Sequence, residues 1–141
     1  MISGTIIDTS VWIDYFNTIT SNETNTADKL LEDKSVIILP VILQEILQGI
    51  REKETFDSVK GLLLSLDFFQ FNGIETAIDA ASLYRFLKTK RVTVRKPNDC
   101  LIAVICINNN IPLLHNDKDF DNIAKHTSLK IYKTEKWQKL K

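Results

Sequence analysis

The sequence predicts an α/β fold in three layers, an α/β/α sandwich around a mostly parallel, five-stranded sheet. Three observations predict it. Short β-branched runs alternate with longer stretches of helical period along the chain. One run, Val36-Ile37-Ile38-Leu39, is apolar at every position, as a strand buried on both faces must be. And the stretch from Asp99 to Ile107 is so uniformly apolar that it reads as a helix covered nearly all round. Strands and helices alternating at these lengths imply parallel pairing with helical crossovers on both sides.

Taken in order, Thr5-Ile6-Ile7 is a strand that ends at Asp8, and Ser10 is placed to cap a helix beginning Val11-Trp12-Ile13. A polar segment, Thr18 to Asn25, leads to a second helix around Thr26 to Asp33. Val36 to Leu39 is the second strand, stopped by Pro40. From Val41 the positions Ile42, Leu43, Ile46, Leu47 and Ile50 recur at helical spacing, and a further helix covers about Thr55 to Leu66. Phe68 to Phe71 is the third strand. Ile74 to Lys90 is a long helix whose apolar face carries Ala77, Ala80, Ala81, Leu83, Tyr84 and Leu87. Val92 to Lys96 connects it, through Pro97-Asn98, to the buried helix from Asp99. Ile111 to Leu114, Asp117 to Ala124 and Leu129 to Tyr132 complete the order as strand, short helix and fifth strand.

A chain of 141 residues without a Pro/Gly/Ser-rich divider is expected to form a single domain, residues 1–141. Its longest apolar runs fall well short of the roughly 20 residues of a membrane span. Met1-Ile2-Ser3-Gly4 lacks the basic start of a secretory signal, so the cytoplasm is the expected compartment. Cys100 and Cys106, six apart on a helix, lie on different faces and read as buried free thiols. The aromatic residues Trp12, Phe16, Phe68, Phe69 and Phe71 fall within elements and read as core or subunit contact. The zero net charge hides an asymmetry: residues 1–84 carry 5 Lys/Arg against 13 Asp/Glu, and residues 85–141 carry 13 against 5. No acid lies between Ala80 and Asn98, where Arg85, Lys88, Lys90, Arg91, Arg95 and Lys96 stand. Such a stretch tracks a phosphate backbone or is simply a solvated face.

In open parallel sheets the functional crevice lies beyond the carboxyl ends of the strands. Asp8 ends the first strand and Asp117 follows the fourth. Glu45 lies one turn into the helix after the second strand, and Asp99 opens the buried helix. Asp8 and Asp99 are flanked by segments that ought to be buried, and burying unpaired carboxylates together is costly unless a cation intervenes. A hard divalent cation such as Mg²⁺ or Mn²⁺ resolves the conflict, and a site of this kind suits phosphodiester hydrolysis. Asp99 also gains from the helix dipole. Helix capping by Asp99 and a turn role for Asp117 are the plain structural alternatives.

With these residues in place the chain resembles the PIN-domain ribonucleases, specifically the VapC-type toxins of toxin-antitoxin pairs. Asp8-Thr9-Ser10-Val11-Trp12-Ile13-Asp14-Tyr15-Phe16 looks like the family's opening motif and Val41-Ile42-Leu43-Gln44-Glu45-Ile46-Leu47-Gln48-Gly49 its second. Asp99-Cys100-Leu101-Ile102-Ala103 and Leu113-Leu114-His115-Asn116-Asp117-Lys118-Asp119-Phe120 are similar to its third and fourth. The resemblance implies catalytic and metal-holding roles for Asp8, Glu45, Asp99 and Asp117, a Mg²⁺ or Mn²⁺ cofactor, an RNA substrate, a cognate antitoxin and a homodimer. Asp119 is a secondary metal candidate and Asp121 a weaker one. Thr9 and Ser10 are candidate auxiliaries that orient Asp8 or a water. The fourth motif usually carries Thr or Ser where this chain has His115, which reads either as a polar strand-end side chain or as a contact to phosphate or water. Arg95 and Lys96, then Arg91 and Lys88, are the candidate phosphate contacts, and Asp14 falls on another face of its helix.

Two other classes remain open at this point. A phosphoacceptor receiver domain also has acids at strand ends, but predicts an acidic pair near the first strand, where Asp8 is followed by Thr9-Ser10. A catalytically silent binding module would keep the fold and use a metal-free acidic pocket to receive a partner's Arg.

Overall fold

The computed structural model describes residues 3–134. Its elements run β1 (Thr5–Ile7), α1 (Thr9–Phe16), α2 (Asn22–Glu32), β2 (Val36–Ile38), α3 (Pro40–Gln48), α4 (Lys53–Leu64), β3 (Asp67–Phe68), α5 (Gly73–Thr89), α6 (Pro97–Asn109), β4 (Leu113–Leu114) and α7 (Lys118–Lys125). All four strands are parallel, in the order β3-β2-β1-β4. The chain therefore crosses from β1 to β2 to β3 in one direction and returns past β1 to β4. Because parallel crossovers are right-handed, this reversal puts α1 to α4 on one face and α5 to α7 on the other. The three expected layers are present.

The fifth strand is smaller than expected. Leu129 to Tyr132 makes one parallel bridge, Ile131 opposite Leu113, so among the described residues the sheet has four strands and not five. Leu113 N–H donates to Lys130 C=O (2.9 Å) and Tyr132 N–H to Leu113 C=O (2.8 Å). The reason lies in β4. Pro112 and Leu114 turn their carbonyls toward β1, where they accept from Ile6 and Asp8, which leaves Leu113 alone facing outward. A two-residue strand has one residue to offer on that side.

Helix starts also shift. Asp8, not Ser10, caps α1, its carboxylate accepting from Ser10 N–H. The second helix begins at Asn22, because Ser21 and Thr24 form a reciprocal capping box inside the segment expected to be polar coil. Lys96 is the cap of α6 and Pro97 its first residue, so Asp99 sits in the first turn and is not a cap. As expected, α6 is covered on most sides: Asp99, Cys100, Ile102, Ala103, Val104, Ile105 and Cys106 are all buried. The two thiols are unbridged, and burial pushes them up to about 11 and about 12, which makes them poor nucleophiles. Ile6, Ile7, Trp12, Ile38, Ile102, Ile105 and Phe120 join one apolar core around the sheet. Gly4, at φ +145°, leads into β1 so close to β2 that a Cβ there would stand 2.8 Å from the Ile37 side chain. Among the described residues no helix is long and apolar enough to cross a membrane.

Candidate active site

The strand order reverses between β1 and β4, and a crevice opens at such a point because the following helices leave on opposite faces. Asp8 follows β1 here and Asp117 follows β4. The two strand ends are tied together: Asp8 N–H donates to Leu114 C=O (2.8 Å), and Asn116 N–H donates to Ser10 Oγ (3.0 Å). Ser10 Oγ in turn donates to Asp8 Oδ2 (2.7 Å), which also accepts from Ser10 N–H (3.1 Å). Ser10 thus fixes the carboxylate of a residue only 4% exposed. Next to it, Thr9 Oγ1 donates to Glu45 Oε1 (2.8 Å) and fastens α1 to α3. Of the two expected auxiliaries, Ser10 orients Asp8 and Thr9 orients Glu45.

Asp99, Asp117 and Asp119 form one group, each offering one oxygen within 4.8 Å of the others. Asp99 is brought in by the first turn of α6. Asp117 caps α7, accepting from Asp119 N–H (3.0 Å), and Asp119 lies in the first turn of that helix. This redistributes the expected cluster. Asp119, a secondary candidate from the sequence, is buried and belongs to the tight group, whereas Asp8 and Glu45 stand outside it. Asp8 is nonetheless near enough to act electrostatically on Asp99.

Two cations face the group. Arg95 Nε donates to Asp119 Oδ2 (3.1 Å) with its Nη2 3.7 Å from Asp117 Oδ1, and Lys96 Nζ lies 3.5 Å from Asp117 Oδ2. Burial raises the pKa of Asp117, but the Asp119 N–H, Lys96 and Arg95 outweigh it and hold the carboxyl below its ordinary value. Asp99 is different. Burial, then the charge of Asp8, pushes it up to about 7 despite Lys96, and its Oδ2 is buried without a hydrogen-bond partner among the described residues. A buried carboxylate oxygen with no donor, beside two further carboxylates, fits a hard divalent cation, which takes oxygen ligands and removes the desolvation cost.

The remaining sequence candidates fall further out. Lys88 and Arg91 are exposed at the end of α5, and Lys88 Nζ lies over the Tyr84 ring, 5.5 Å from its centroid. His115 is outside the carboxylate group; its Nδ1 accepts from Asp117 N–H (3.0 Å), and its ring rests against Phe120. Asp14 contributes no oxygen to the group and accepts from Asn116 Nδ2 (3.0 Å). Asn116 is the residue that sequence reasoning missed. Its backbone and side chain bind α1 to the turn after β4, and only its position between two candidates hinted at this.

A sequence profile described as PIN domain matches residues 5–126. A VapC ribonuclease of Mycobacterium bovis and ribonuclease VapC11 of Mycobacterium tuberculosis are each 34% identical over 129 residues, covering 88% of this chain and 94% of theirs. Among solved structures, VapBC2 from Rickettsia felis, bound to a promoter DNA fragment, holds a similar chain. The TM-score is 0.71 at 22% identity, over 95% of this chain and 98% of that one. DNA-bound VapBC from Salmonella typhimurium gives 0.74 at 18% identity, over 92% and 97%. At these identities the solved structures speak for the fold.

Proposed function

The chain belongs to the PIN-domain family, and from that premise we propose that it is an endoribonuclease that hydrolyses RNA phosphodiester bonds with Mg²⁺ or Mn²⁺. Its 34% identical relatives carry the name ribonuclease, which supports the substrate class and, with the VapBC structures, a place as the toxin of a type II toxin-antitoxin pair in the cytoplasm. The same family membership sets aside the receiver-like alternative.

The observation that carries the chemistry is the group Asp99, Asp117 and Asp119, with Asp99 Oδ2 buried and unpartnered. Asp8, Asp99 and Asp117 would hold the ion, with Asp119 and Glu45 in support. When bound, it supplies the positive charge that the phosphate and the attacking water need in the transition state. The protein's own part is positional. Ser10 fixes the Asp8 carboxylate, Thr9 fixes Glu45, and Asn116 keeps the ends of β1 and β4 at a constant separation. Arg95 and Lys96, with exposed side chains at the mouth, hold substrate phosphate there, and Arg91 and Lys88 extend that path along the end of α5.

RNA cleavage by the wild type with Mg²⁺ or Mn²⁺, set against Asp8→Asn and Asp99→Asn, tests this. We expect each variant to lose more than the about 10–100-fold typical of removing an outer-shell partner. Equal rates in all three proteins would sink the metal-site reading. The silent binding module is favoured by one feature: Arg95 and Lys96 already neutralise the acids as a partner's Arg would. A folded wild type that neither binds Mn²⁺ nor cuts RNA would establish that second reading.

The partners proposed are a cognate antitoxin, which blocks the site, and a second copy of the chain. Residues 1–141 act as one nuclease domain. Support for the homodimer comes from α5, where Ile74 and Ile78, one turn apart, lie 77% and 61% exposed.

A further inference from the structure

His115 is the last residue before the turn that delivers Asp117, and its side chain is only 6% exposed. A buried imidazole needs partners for both nitrogens. Its Nδ1 lies 3.0 Å from Asp117 N–H. A backbone N–H can only donate, so Nδ1 must carry a lone pair and the ring proton must be on Nε2. Nε2 lies 3.1 Å from Asp121 Oδ1, outside hydrogen-bond geometry as placed. Asp121 is 58% exposed, so its carboxylate has room to turn toward Nε2. The ring is braced on Phe120, centroids 5.4 Å apart.

The bond from residue 117 back to the side chain of residue 115 has the connectivity of an Asx- or ST-turn, in which a side-chain acceptor takes the N–H two residues on. Here an imidazole supplies that acceptor, and Asp121 Oδ1 stands 3.1 Å from its other nitrogen. Asp117 then caps α7 and accepts from Asp119 N–H, so the same turn aims two of the three clustered carboxylates.

We propose that His115 is a positioning residue: held as the Nε2–H tautomer by Asp121, it sets the turn that presents Asp117 and Asp119 to the metal. The proposal rests on the nuclease reading for its purpose, while the contact itself can be measured without metal.

Four full-length variants test it: His115→Ala, His115→Asn, His115→Gln and Asp121→Ala. Asn restores an acceptor at the Nδ1 position, whereas Ala has none and Gln places its amide too far along the chain. In the isotope-labelled wild type, imidazole nitrogen shifts should report an unprotonated Nδ1, and the Asp117 amide should be protected from exchange. Protection should persist in His115→Asn and vanish in His115→Ala and His115→Gln. Mn²⁺ affinity should fall about 10–100-fold in His115→Ala, as for other outer-shell losses, recover within about threefold of wild type in His115→Asn, and fall less in Asp121→Ala. Thermal melts identify any variant that fails to fold, and the tautomer measured in the wild type stands independently of them. A proton on Nδ1, an Asp117 amide unprotected in the wild type, or His115→Ala binding Mn²⁺ like wild type would each overturn the proposal. A wild type that binds no Mn²⁺ removes the nuclease reading and with it the purpose assigned here, leaving Asp117 exchange to judge the contact alone.

Discussion

At the scale of single residues, Asp99 is where stability and function pull apart. Its folded-state pKa, raised by burial and by Asp8 to about 7 from an unfolded value of 3.8, means that the metal-free folded chain binds the proton more tightly than the unfolded one. This group's contribution to metal-free stability is therefore most favourable below about pH 4 and is lost as pH rises toward about 7. Urea titrations with a chelator present should show that decline, Asp99→Asn should flatten it and stabilise the chain near pH 7, and Mn²⁺ should restore the wild type alone. A wild type whose metal-free stability climbs over that range would contradict the burial of this carboxylate. Asp8, Asp99 and Asp117 were legible in the sequence because acids next to buried strands and helices have few bland explanations. The closeness of Asp119 to Asp99 and Asp117 was not legible for a physical reason: its burial depends on how α7 packs against α6, which is a tertiary fact. The partners of His115 were hidden in the same way.

At the scale of elements, the sequence located every helix but misjudged ends set by side-chain bonds. Ser21 with Thr24 started α2 four residues early, and Asp8 took the cap assigned to Ser10. The fifth strand shrank because apolar, β-branched composition reports extended backbone, while pairing depends on which carbonyls of β4 face outward. Two predictions belong here. Gly4→Ala, which forces a side chain into φ +145° and against Ile37, should cost more than about 1 kcal/mol in denaturant unfolding. The second concerns the basic segment after the middle of α5. Replacing Lys88, Arg91 and Arg95 by Gln should weaken RNA binding and reduce the steepness of its salt dependence, by up to about 0.7 in log–log slope per lost phosphate contact on a single strand. An unchanged slope would return these residues to a solvated face, as would suit Lys88 resting on Tyr84.

At the scale of the whole molecule, the topology does most to make the site, since the reversal between β1 and β4 brings acids 109 positions apart to one crevice. That much was readable as a rule about strand ends, but the order of the strands was not. The exposed side of α5 gives a further test: Ile78→Glu should convert a dimer to a monomer in sedimentation velocity while leaving the melting temperature nearly unchanged, and a wild type already monomeric at high concentration would remove the proposed interface. The sheet itself bears on assembly in another way. One margin is β3, two residues long, and the other is closed by a single bridge at Ile131. Among the described residues neither offers a run of free backbone on which a foreign strand could template, which disfavours runaway stacking of copies from both sides. Contacts between copies are thereby left to helical surfaces, where charge and shape can choose the partner and the association can be reversed.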